Sequence, residues 1–485
     1  MRTATVTLVC LMAAALFLAS SSSPFEMDAA VQRPGGSHML PGEDMVTVEI
    51  TDFRALEPDI PSALSVTVDV NGETVSSPML DGPYCYDIGW RVSVEVPATL
   101  TEVPVTLQLW AHGAGGDVRC DIGGVDAAVL SGRSASLLFN RSTGDWTGDD
   151  YRGDPSGYGR LNGCDDGSIY TAERDCELWF SITGGDADGD GLTDWEEVNV
   201  YGTDPEMSNE GEDADGDGIP IEWEDRWGYD PFKPESHATL DPDNDGLSNL
   251  EEYRMRDWQA DPYRRDLYVE LDQMELRLGN KIGYVSADAK EMLKTVYNRR
   301  SIVYHLDDGC MGGGEIIPFD ALTGPGELTD IYRQYFLHND SNAWRRGVFH
   351  YGVVINRHFL VDGHAFPGDG SIFDFDEGGV NCFQISRQPL AGKILRSTQE
   401  KIDFYHACLI MHETGHTLGI YAGHPLGCDN QFSKYPWQLG SYIFRNYRSV
   451  MNYRYTYHLL DYSDGTHGPR DYDDWGNLDL TFFEP

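Results

Sequence analysis

Hydrophobic and polar residues alternate along the chain between Met45 and about Thr183. A period of two predicts β-strands with one buried face, and Asn71-Gly72, which separates two of the runs, predicts a tight hairpin turn. The pattern predicts an all-β sandwich over residues 44–183, for which a structural role is the simplest interpretation. The clearest alternating runs are Val46-Val48-Ile50, Leu64-Val66-Val68-Val70, Val92-Val94-Val96 and Val105-Leu107-Leu109.

Three acidic loops follow, beginning at residues 186, 213 and 241, and each has the form DxDxDG with a glutamate at loop position 12. Carboxylates at positions 1, 3, 5 and 12 can surround one calcium ion, position 7 offers its backbone carbonyl, and the glycine at position 6 permits the sharp turn. The repeat predicts about three structural calcium ions. The predicted calcium ligands are Asp186, Asp188, Asp190, Asp194 and Glu197 in the first loop, Asp213, Asp215, Asp217 and Glu224 in the second, and Asp241, Asp243, Asp245, Asn249 and Glu252 in the third.

No strong helical pattern precedes these loops, while a short helix is predicted after each and ends at Asp204-Pro205, Asp230-Pro231 or Asp261-Pro262. This layout resembles the thrombospondin type 3 repeats of bacterial and archaeal surface and secreted proteins more than paired EF-hands. The resemblance implies that residues 184–262 form a spacer stiffened by calcium. Extracellular sites of this kind bind calcium at about 10⁻⁴ to 10⁻³ M.

Residues 263–485 have a mixed pattern that predicts an α/β domain. We expect strands over 264–272, 301–305 and 348–355, a helix over 286–298, and a closing helix over 471–480. A long helix is predicted to start at a capping box formed by Ser397 and Glu400 and to end at Gly419.

That long helix carries His412-Glu413-Thr414-Gly415-His416. Histidines four residues apart share one helix face, so both can bind one zinc ion while Glu413 reaches a water on the metal. The competing interpretation is a surface helix held by salt bridges. The apolar turn at 406–411 argues against it, because buried histidines need partners.

Downstream, Ser449-Val450-Met451-Asn452-Tyr453 makes the last 220 or so residues resemble the metzincin clan of zinc endopeptidases. The resemblance implies that His412 and His416 bind zinc, that Glu413 is the general base and that Met451 forms the floor beneath the metal. It also implies that Tyr453 stabilises the oxyanion.

The third zinc ligand departs from the clan pattern, because Ala422 occupies its expected position. His424, two residues later, is the preferred candidate. Asp429 is the next candidate, and His458 or His467 follow. The plan that takes a downstream glutamate is disfavoured, since Glu484 is the only glutamate after His416.

Composition limits the partners and the compartment. A net charge of -45 argues against nucleic acid or an anionic membrane as a partner. Residues 1–24 read as a secretory signal peptide and 25–43 as a flexible lead-in, and the alternative is an uncleaved anchor. No other segment is apolar enough to span a membrane. Eight cysteines follow Cys10, and disulfides are expected in an oxidising compartment, with Cys164–Cys176 and Cys85–Cys120 as first candidates.

Together these features predict a secreted, calcium-stabilised zinc endopeptidase that hydrolyses a protein or peptide substrate. Glu413 would accept a proton from the zinc-activated water and pass it to the leaving amine. The alternative is a calcium-dependent structural or adhesive surface protein whose zincin domain is inactive. Ala422 favours the alternative, whereas the retained Glu413 and Met451 count against it. The oligomeric state is open.

Overall fold

The computed structural model describes residues 45–481, apart from 59, 62, 124–133, 151–158, 167–168, 170–172, 234–235, 279–281, 359–362, 367–380, 388–396 and 422. The predicted signal peptide (1–24), the predicted lead-in (25–43) and Ala422 lie outside the described residues. The chain is multidomain and mostly β, with three sheets and few helices. Within the described residues no helix has both the length and the apolar character needed to cross a membrane.

Two antiparallel sheets form the N-terminal part and share one hydrophobic core. The side chains that alternate inward, Val46, Val48 and Ile50 among them, are completely buried. Asn71 and Gly72 both have positive φ and join two paired strands, so the predicted hairpin is confirmed. The strands are β1 (Met45–Ala55), β2 (Ala63–Val70), β3 (Glu73–Ser76), β4 (Leu80–Asp81), β5 (Tyr84–Cys85), β6 (Trp90–Glu95), β7 (Glu102–Gly113), β8 (Gly116–Arg119), β9 (Ala135–Asn140), β10 (Trp146–Gly148), β11 (Gly159–Asn162) and β12 (Cys176–Thr183).

In the first sheet β1 pairs with β12 along one edge and with β5 and β6 along the other, while β11 pairs with β12. The second sheet has the order β10-β9-β7-β2-β3, with β4 on β2 and β8 on β7. Every pairing in both sheets is antiparallel.

All eight described cysteines are free thiols, so the structure contains none of the predicted disulfides. A bridge between Asp121 and Asp175 brings their chain neighbours Cys120 and Cys176 together, close enough for each thiol to influence the other. Cys164 instead donates to the Asp175 carboxylate at 3.4 Å. The proposed pairs Cys164–Cys176 and Cys85–Cys120 were wrong, since strand pairing and not sequence separation decides which thiols meet.

The repeat segment contains three short helices, α1 (Asp194–Glu196), α2 (Ile221–Arg226) and α3 (Asn249–Met255). Each follows an acidic loop, as predicted. Residues Glu197–Tyr201 continue α1 as a π-helical turn. A small apolar cluster, centred on Ile219, Trp223 and Trp227, packs the segment together.

The C-terminal part is built on a third sheet of order β14-β13-β16-β18-β17, with β15 paired to β13. Of the described strands in this sheet, β17 alone runs antiparallel, and it stands at the end of the strand order. Helices α4 and α6 pack against this sheet in one core. The elements are β13 (Asp266–Met274), α4 (Ala287–Asn298), β14 (Val303–Asp307), β15 (Ile316–Ile317), α5 (Pro325–Ile331), β16 (Phe349–Ile355), β17 (Gly363–Phe366), β18 (Cys382–Ser386), α6 (Gln399–Thr417), β19 (Leu426–Asp429) and α7 (Leu439–Ile443).

Two helix boundaries differ from the prediction. The N-cap of α6 is Thr398 and not Ser397. The predicted closing helix over 471–480 is only a single 3-10 turn at Trp475–Asn477. Here the Asp473 carboxylate accepts the Gly476 N–H, and such local side-chain bonds replace helical ones.

The β-rich part contacts the third sheet's helix α4. Arg54 forms an ion pair with Glu291 at 2.7 Å. The side-chain amide of Asn162 donates to the Asn298 carbonyl at 2.8 Å, and the Asn298 amide donates to Glu177 at the same distance. These buried contacts hold the first and last parts of the chain against each other.

Candidate metal centres

Helix α6 is buried on nearly every side at its C-terminal end, where His412 and Glu413 are each 3% exposed and His416 is 8% exposed. The helix ends at Thr417, and Gly419 follows with a φ of +89°. This reversal brings the Ile420 carbonyl back towards the helix. The predicted four-residue spacing therefore places both imidazoles in one buried pocket.

Backbone carbonyls fix the orientation of both rings. His412 Nδ1 lies 2.9 Å from the Val450 oxygen, and His416 Nδ1 lies 2.5 Å from the Ile420 oxygen. Because a carbonyl oxygen can only accept, each Nδ1 carries the proton and each Nε2 is directed to the other side. A hydrogen bond from the ring nitrogen that does not bind the metal to a carbonyl oxygen is typical of metal-binding histidines.

Both Nε2 atoms meet the carboxylate of Asp429, at 3.0 Å from His412 and 3.2 Å from His416. Asp429 ends β19, and its ligand atom lies within 4.8 Å of those of both histidines. The preferred candidate His424 is exposed, and its backbone pairs with Tyr421. The structure therefore brings Asp429, the second candidate, into the cluster and leaves His424 outside it.

The other two candidates also lie elsewhere. His458 is exposed, and His467 pairs with Asp464 and Asp471 in a separate group. The error over His424 has a physical reason, because the chain turns at Gly423 and the following strand carries the donor back to the histidines. Counting from His416 could not reveal that reversal.

The electrostatics of the cluster favour a positive charge between the rings and the carboxylate. Burial alone would lower the pKa of His412, but the charge and hydrogen bond of Asp429 outweigh it and raise the pKa to about 9. Burial alone would raise the pKa of Asp429, but His416 and His412 hold it well below its ordinary value. A proton or a metal cation can supply this charge, and two nitrogens with one carboxylate are the donor types zinc takes.

The remaining predicted residues surround the cluster. Met451 is fully buried, and a Cβ added at Gly415 would lie 2.7 Å from its sulfur, so the methionine lies beneath the helix. Tyr453 stacks on His412 with ring centroids 5.9 Å apart, and its hydroxyl lies on the side of the cluster where the charges of Asp429 and Glu413 act on it. A Cβ at Gly363 would lie 2.2 Å from Glu413 Oε1, which places Glu413 against the edge strand β17.

The three acidic loops share one hydrogen-bonding scheme. In the first, the N–H groups of Gly189 and Gly191 donate to Asp186 at 2.7 and 3.1 Å, and Leu192 donates to Asp190 at 2.9 Å. The second repeats these bonds with Gly216 and Gly218 on Asp213 and Ile219 on Asp217, and the third has Gly246 on Asp241 and Leu247 on Asp245. The matching bonds leave other carboxylate oxygens free to face a cation.

The glutamates at position 12 are buried, since Glu197, Glu224 and Glu252 are at most 1% exposed. Burial raises the pKa of Glu197 and of Glu224 to about 7. Burial, together with neighbouring carboxylates, raises the pKa of Asp243 to about 11. Grouped carboxylates of this kind need a cation to remain ionised.

Two predicted position-9 ligands have structural bonds. The Asp194 carboxylate accepts the Ala187 N–H at 2.8 Å, and the Asn249 side-chain amide donates to the His237 carbonyl at 2.9 Å. The structure also adds a residue that the loop pattern missed. His237 joins Asp215, Asp217 and Glu224 in one group. It follows Glu224 by 13 residues, outside the repeat unit used to find the ligands.

Comparison with known proteins identifies one part of this arrangement. Residues 186–205 match the bacterial TSP3 repeat, a calcium-binding repeat, so the first acidic loop is a calcium-binding element. No curated protein matches the sequence significantly.

Solved structures give only local and weak similarities. A structure of a C2 domain aligns with 29% of this chain and 96% of its own at 9% identity and a TM-score of 0.18. The two C2 domains of extended synaptotagmin 2 align with 45% of this chain and 58% of theirs at 10% identity and a TM-score of 0.20. Human GIVD cytosolic phospholipase A2 aligns with 29% of this chain at 12% identity and a TM-score of 0.17, and the chain spans only 17% of its length.

Proposed function

We propose that the protein is a secreted zinc endopeptidase whose repeat segment is stabilised by calcium. The observation that carries the proposal is the convergence of His412 Nε2, His416 Nε2 and the Asp429 carboxylate beside Glu413. Three protein donors with one position open are the arrangement of a catalytic zinc. Export is part of the proposal and rests on the sequence of residues 1–24 alone.

His412, His416 and Asp429 would hold the zinc ion, which supplies Lewis acidity and lowers the pKa of a bound water to about 7. The ring orientations support this assignment, because both Nδ1 atoms are already used by carbonyls. Met451 excludes water from below the cluster.

Glu413 acts as the proton carrier. Its carboxylate is buried and Oε1 lies next to Gly363, at the start of the edge strand. A substrate lying along that strand would present its scissile amide close to this oxygen, which would accept a proton from the attacking water and return it to the leaving amine.

Tyr453 is placed to donate its hydroxyl proton to the developing oxyanion. Burial and the charges of Asp429 and Glu413 raise its pKa, so the phenol stays protonated and remains a donor at neutral pH. Its stacking on His412 keeps the ring beside the cluster.

The edge strand β17 provides a binding surface for substrate. Among the described residues it pairs only with β18, and Gly363 to Phe366 run antiparallel to that partner. An extended peptide can add to such an edge through main-chain hydrogen bonds, which favours an unfolded polypeptide over a small molecule as substrate.

Calcium has a structural role in this proposal. The third loop contacts the third sheet directly, because the Asp266 N–H at the start of β13 donates to Asp245 at 2.7 Å. A calcium ion held by the third loop would therefore fix the repeat segment to the domain that carries the cluster.

The alternative function, a structural or adhesive calcium protein with an inactive domain, was favoured by the lack of a donor at Ala422. Asp429 offers the missing donor from β19.

The test is hydrolysis of an unfolded protein by the purified mature chain and by Glu413→Gln, in calcium buffer, with zinc counted in both samples. We expect cleavage by the parent, almost none by the variant, and equal zinc in both. Zinc without cleavage in the parent would contradict the endopeptidase, and no zinc in the parent would remove the metal as well.

A further inference from the structure

The second acidic loop differs from the other two in its donors. Position 9 is Ile221, which has no side-chain donor, whereas the first and third loops have Asp194 and Asn249 there. In its place the second loop receives an imidazole from the next repeat, that of His237.

His237 Nε2 lies 2.6 Å from Glu224 Oε1 and 3.1 Å from Asp217 Oδ2. With Asp215 these residues offer four ligand atoms, all within 4.8 Å of one another. Glu224 is fully buried, and His237 is 5% exposed. The group therefore offers one nitrogen and three carboxylates, with Glu224 and His237 buried and Asp215 and Asp217 half-buried.

One contact orients the imidazole in this pocket, and a second holds the backbone of the same residue. Tyr229 stacks on the ring with centroids 5.0 Å apart and planes 11° from parallel. The His237 carbonyl accepts the Asn249 side-chain amide at 2.9 Å. The ring is held before any ion arrives, which is the preorganisation expected of a ligand.

The repeat register shows that His237 occupies a closing position. It lies four residues before Asp241, as Asn209 lies four residues before Asp213. Asn209 closes the first loop with its backbone N–H, 2.7 Å from Asp190 Oδ2. In the second loop the side-chain nitrogen of His237 takes this role, and it contacts Asp217, which also stands at loop position 5.

Charge indicates that the pocket takes a cation even with His237 protonated. The pocket has three carboxylates, those of Asp215, Asp217 and Glu224, so one imidazolium would leave most of the negative charge uncompensated. Among the described residues, Glu224 Oε2 receives no hydrogen bond. A buried carboxylate oxygen without a donor carries a substantial free-energy cost unless a cation binds it.

We propose that the second loop is a mixed nitrogen–oxygen site for a zinc-like divalent cation, with His237, Glu224, Asp217 and Asp215 as its ligands. Calcium takes about six to eight ligands, and these are oxygens. Imidazole nitrogen suits zinc and its transition-metal neighbours, and zinc takes about four ligands of mixed N and O type. The second loop thus selects a different ion from the first.

The experiment counts the zinc retained by the full mature chain after it is loaded with slightly more than two equivalents of zinc in excess calcium and then dialysed against calcium buffer. Four proteins are compared: the parent, His237→Asn, the double variant His412→Ala/His416→Ala, and the combination of all three changes. We expect about two zinc ions per chain in the parent, about one in each of the next two, and almost none in the combination.

The controls separate this site from the helix cluster, which is the group formed by His412, His416 and Asp429. His112→Asn changes a histidine that contacts Asp117 at 2.9 Å on the β-rich part, and its zinc count should equal that of the parent. If His237→Asn does not fold, Asp215→Asn removes another ligand of the same pocket and should lose the same zinc ion.

The proposal is overturned if His412→Ala/His416→Ala binds no zinc, or if neither His237→Asn nor Asp215→Asn lowers the count. A double variant that keeps the parent's full count contradicts zinc at the helix cluster and leaves this proposal standing.

Discussion

The backbone N–H of Asp429 donates to the carbonyl of Met451 at 3.1 Å. The preceding carbonyl, that of Val450, is 2.9 Å from His412 Nδ1. The successive carbonyls of Val450 and Met451 therefore position two members of the cluster, His412 and Asp429. The turn acts through its backbone as well as through the Met451 side chain, and it links the end of β19 to helix α6.

Replacing Asp429 by Ala should weaken zinc binding by more than about 100-fold, because changing even an outer-shell partner of a metal typically costs 10–100-fold. The measurement is a zinc competition titration against a chromophoric chelator.

The matched control is His424→Ala. His424 is exposed and outside the cluster, so its variant should bind zinc like the parent. A loss in His424→Ala with none in Asp429→Ala would reverse the assignment of the third ligand.

Gly363→Ala should lower kcat by about 100-fold, as expected when a catalytic group is misplaced by about 1 Å. The new Cβ would lie 2.2 Å from Glu413 Oε1, the end of a flexible side chain, and 3.3 Å from the backbone oxygen of Gln384, so Glu413 would move far more than the backbone of β18. Peptidase assays and thermal melting of the same samples check this.

Gly326→Ala is the control, since its Cβ would meet nothing within 4 Å. Unchanged kcat in Gly363→Ala would mean that Glu413 has no constrained position.

The sequence was sufficient for features with a local cause. Alternation predicted the buried side chains of β1. Asn71-Gly72 predicted the hairpin between β2 and β3, and the loop spacing predicted the first calcium element. Each depends only on residues that are near each other in the chain.

The sequence was insufficient where distant segments meet. Asp429 reaches His412 because a strand returns to the helix, and His237 reaches Glu224 from the following repeat. The contact between Cys120 and Cys176 depends on a bridge between chain neighbours far apart in sequence. None of these contacts has a fixed sequence spacing that a motif could encode.

Tyr453→Phe should lower kcat by about 10²-fold, similar to the loss of one oxyanion donor, and leave KM nearly unchanged. Because Tyr453 is not a member of the metal-binding group, zinc content should be retained. Steady-state kinetics with zinc counted in parallel checks both points. A fall in zinc content would assign Tyr453 to ligand positioning instead.

Glu270→Gln should make stability less dependent on pH. Burial raises the Glu270 pKa to about 9 although Arg345 lies 2.7 Å away, while nearby Asp272 and Asp307 add to the rise. The folded state therefore binds a proton that the unfolded state has already released above its ordinary pKa of about 4.3. This contribution lowers stability as pH rises from about 4.3 to 9, by at most about 1.4 kcal/mol per pH unit.

Urea unfolding at pH 6 and pH 8 measures this effect. The parent should lose more stability over that interval than Glu270→Gln. Glu95→Gln, at an exposed strand position, is the control and should follow the parent. Equal slopes in all three proteins would show that Glu270 ionises normally.

Asp245→Asn should uncouple the third loop from the third sheet. Asp245 is fully buried and accepts the Asp266 N–H at 2.7 Å, so the change removes a charge that calcium needs and weakens a bond to β13. We expect calcium-dependent stabilisation to fall by about 1–3 kcal/mol, the range for a buried charged hydrogen bond.

Hydrogen exchange in Asp245→Asn should increase both in the third loop and at the start of β13. The control is Asp257→Asn, at a residue whose side chain is 80% exposed, and it should change neither. Faster exchange confined to the loop would show that calcium stabilises the spacer without reaching the domain that carries His412 and His416.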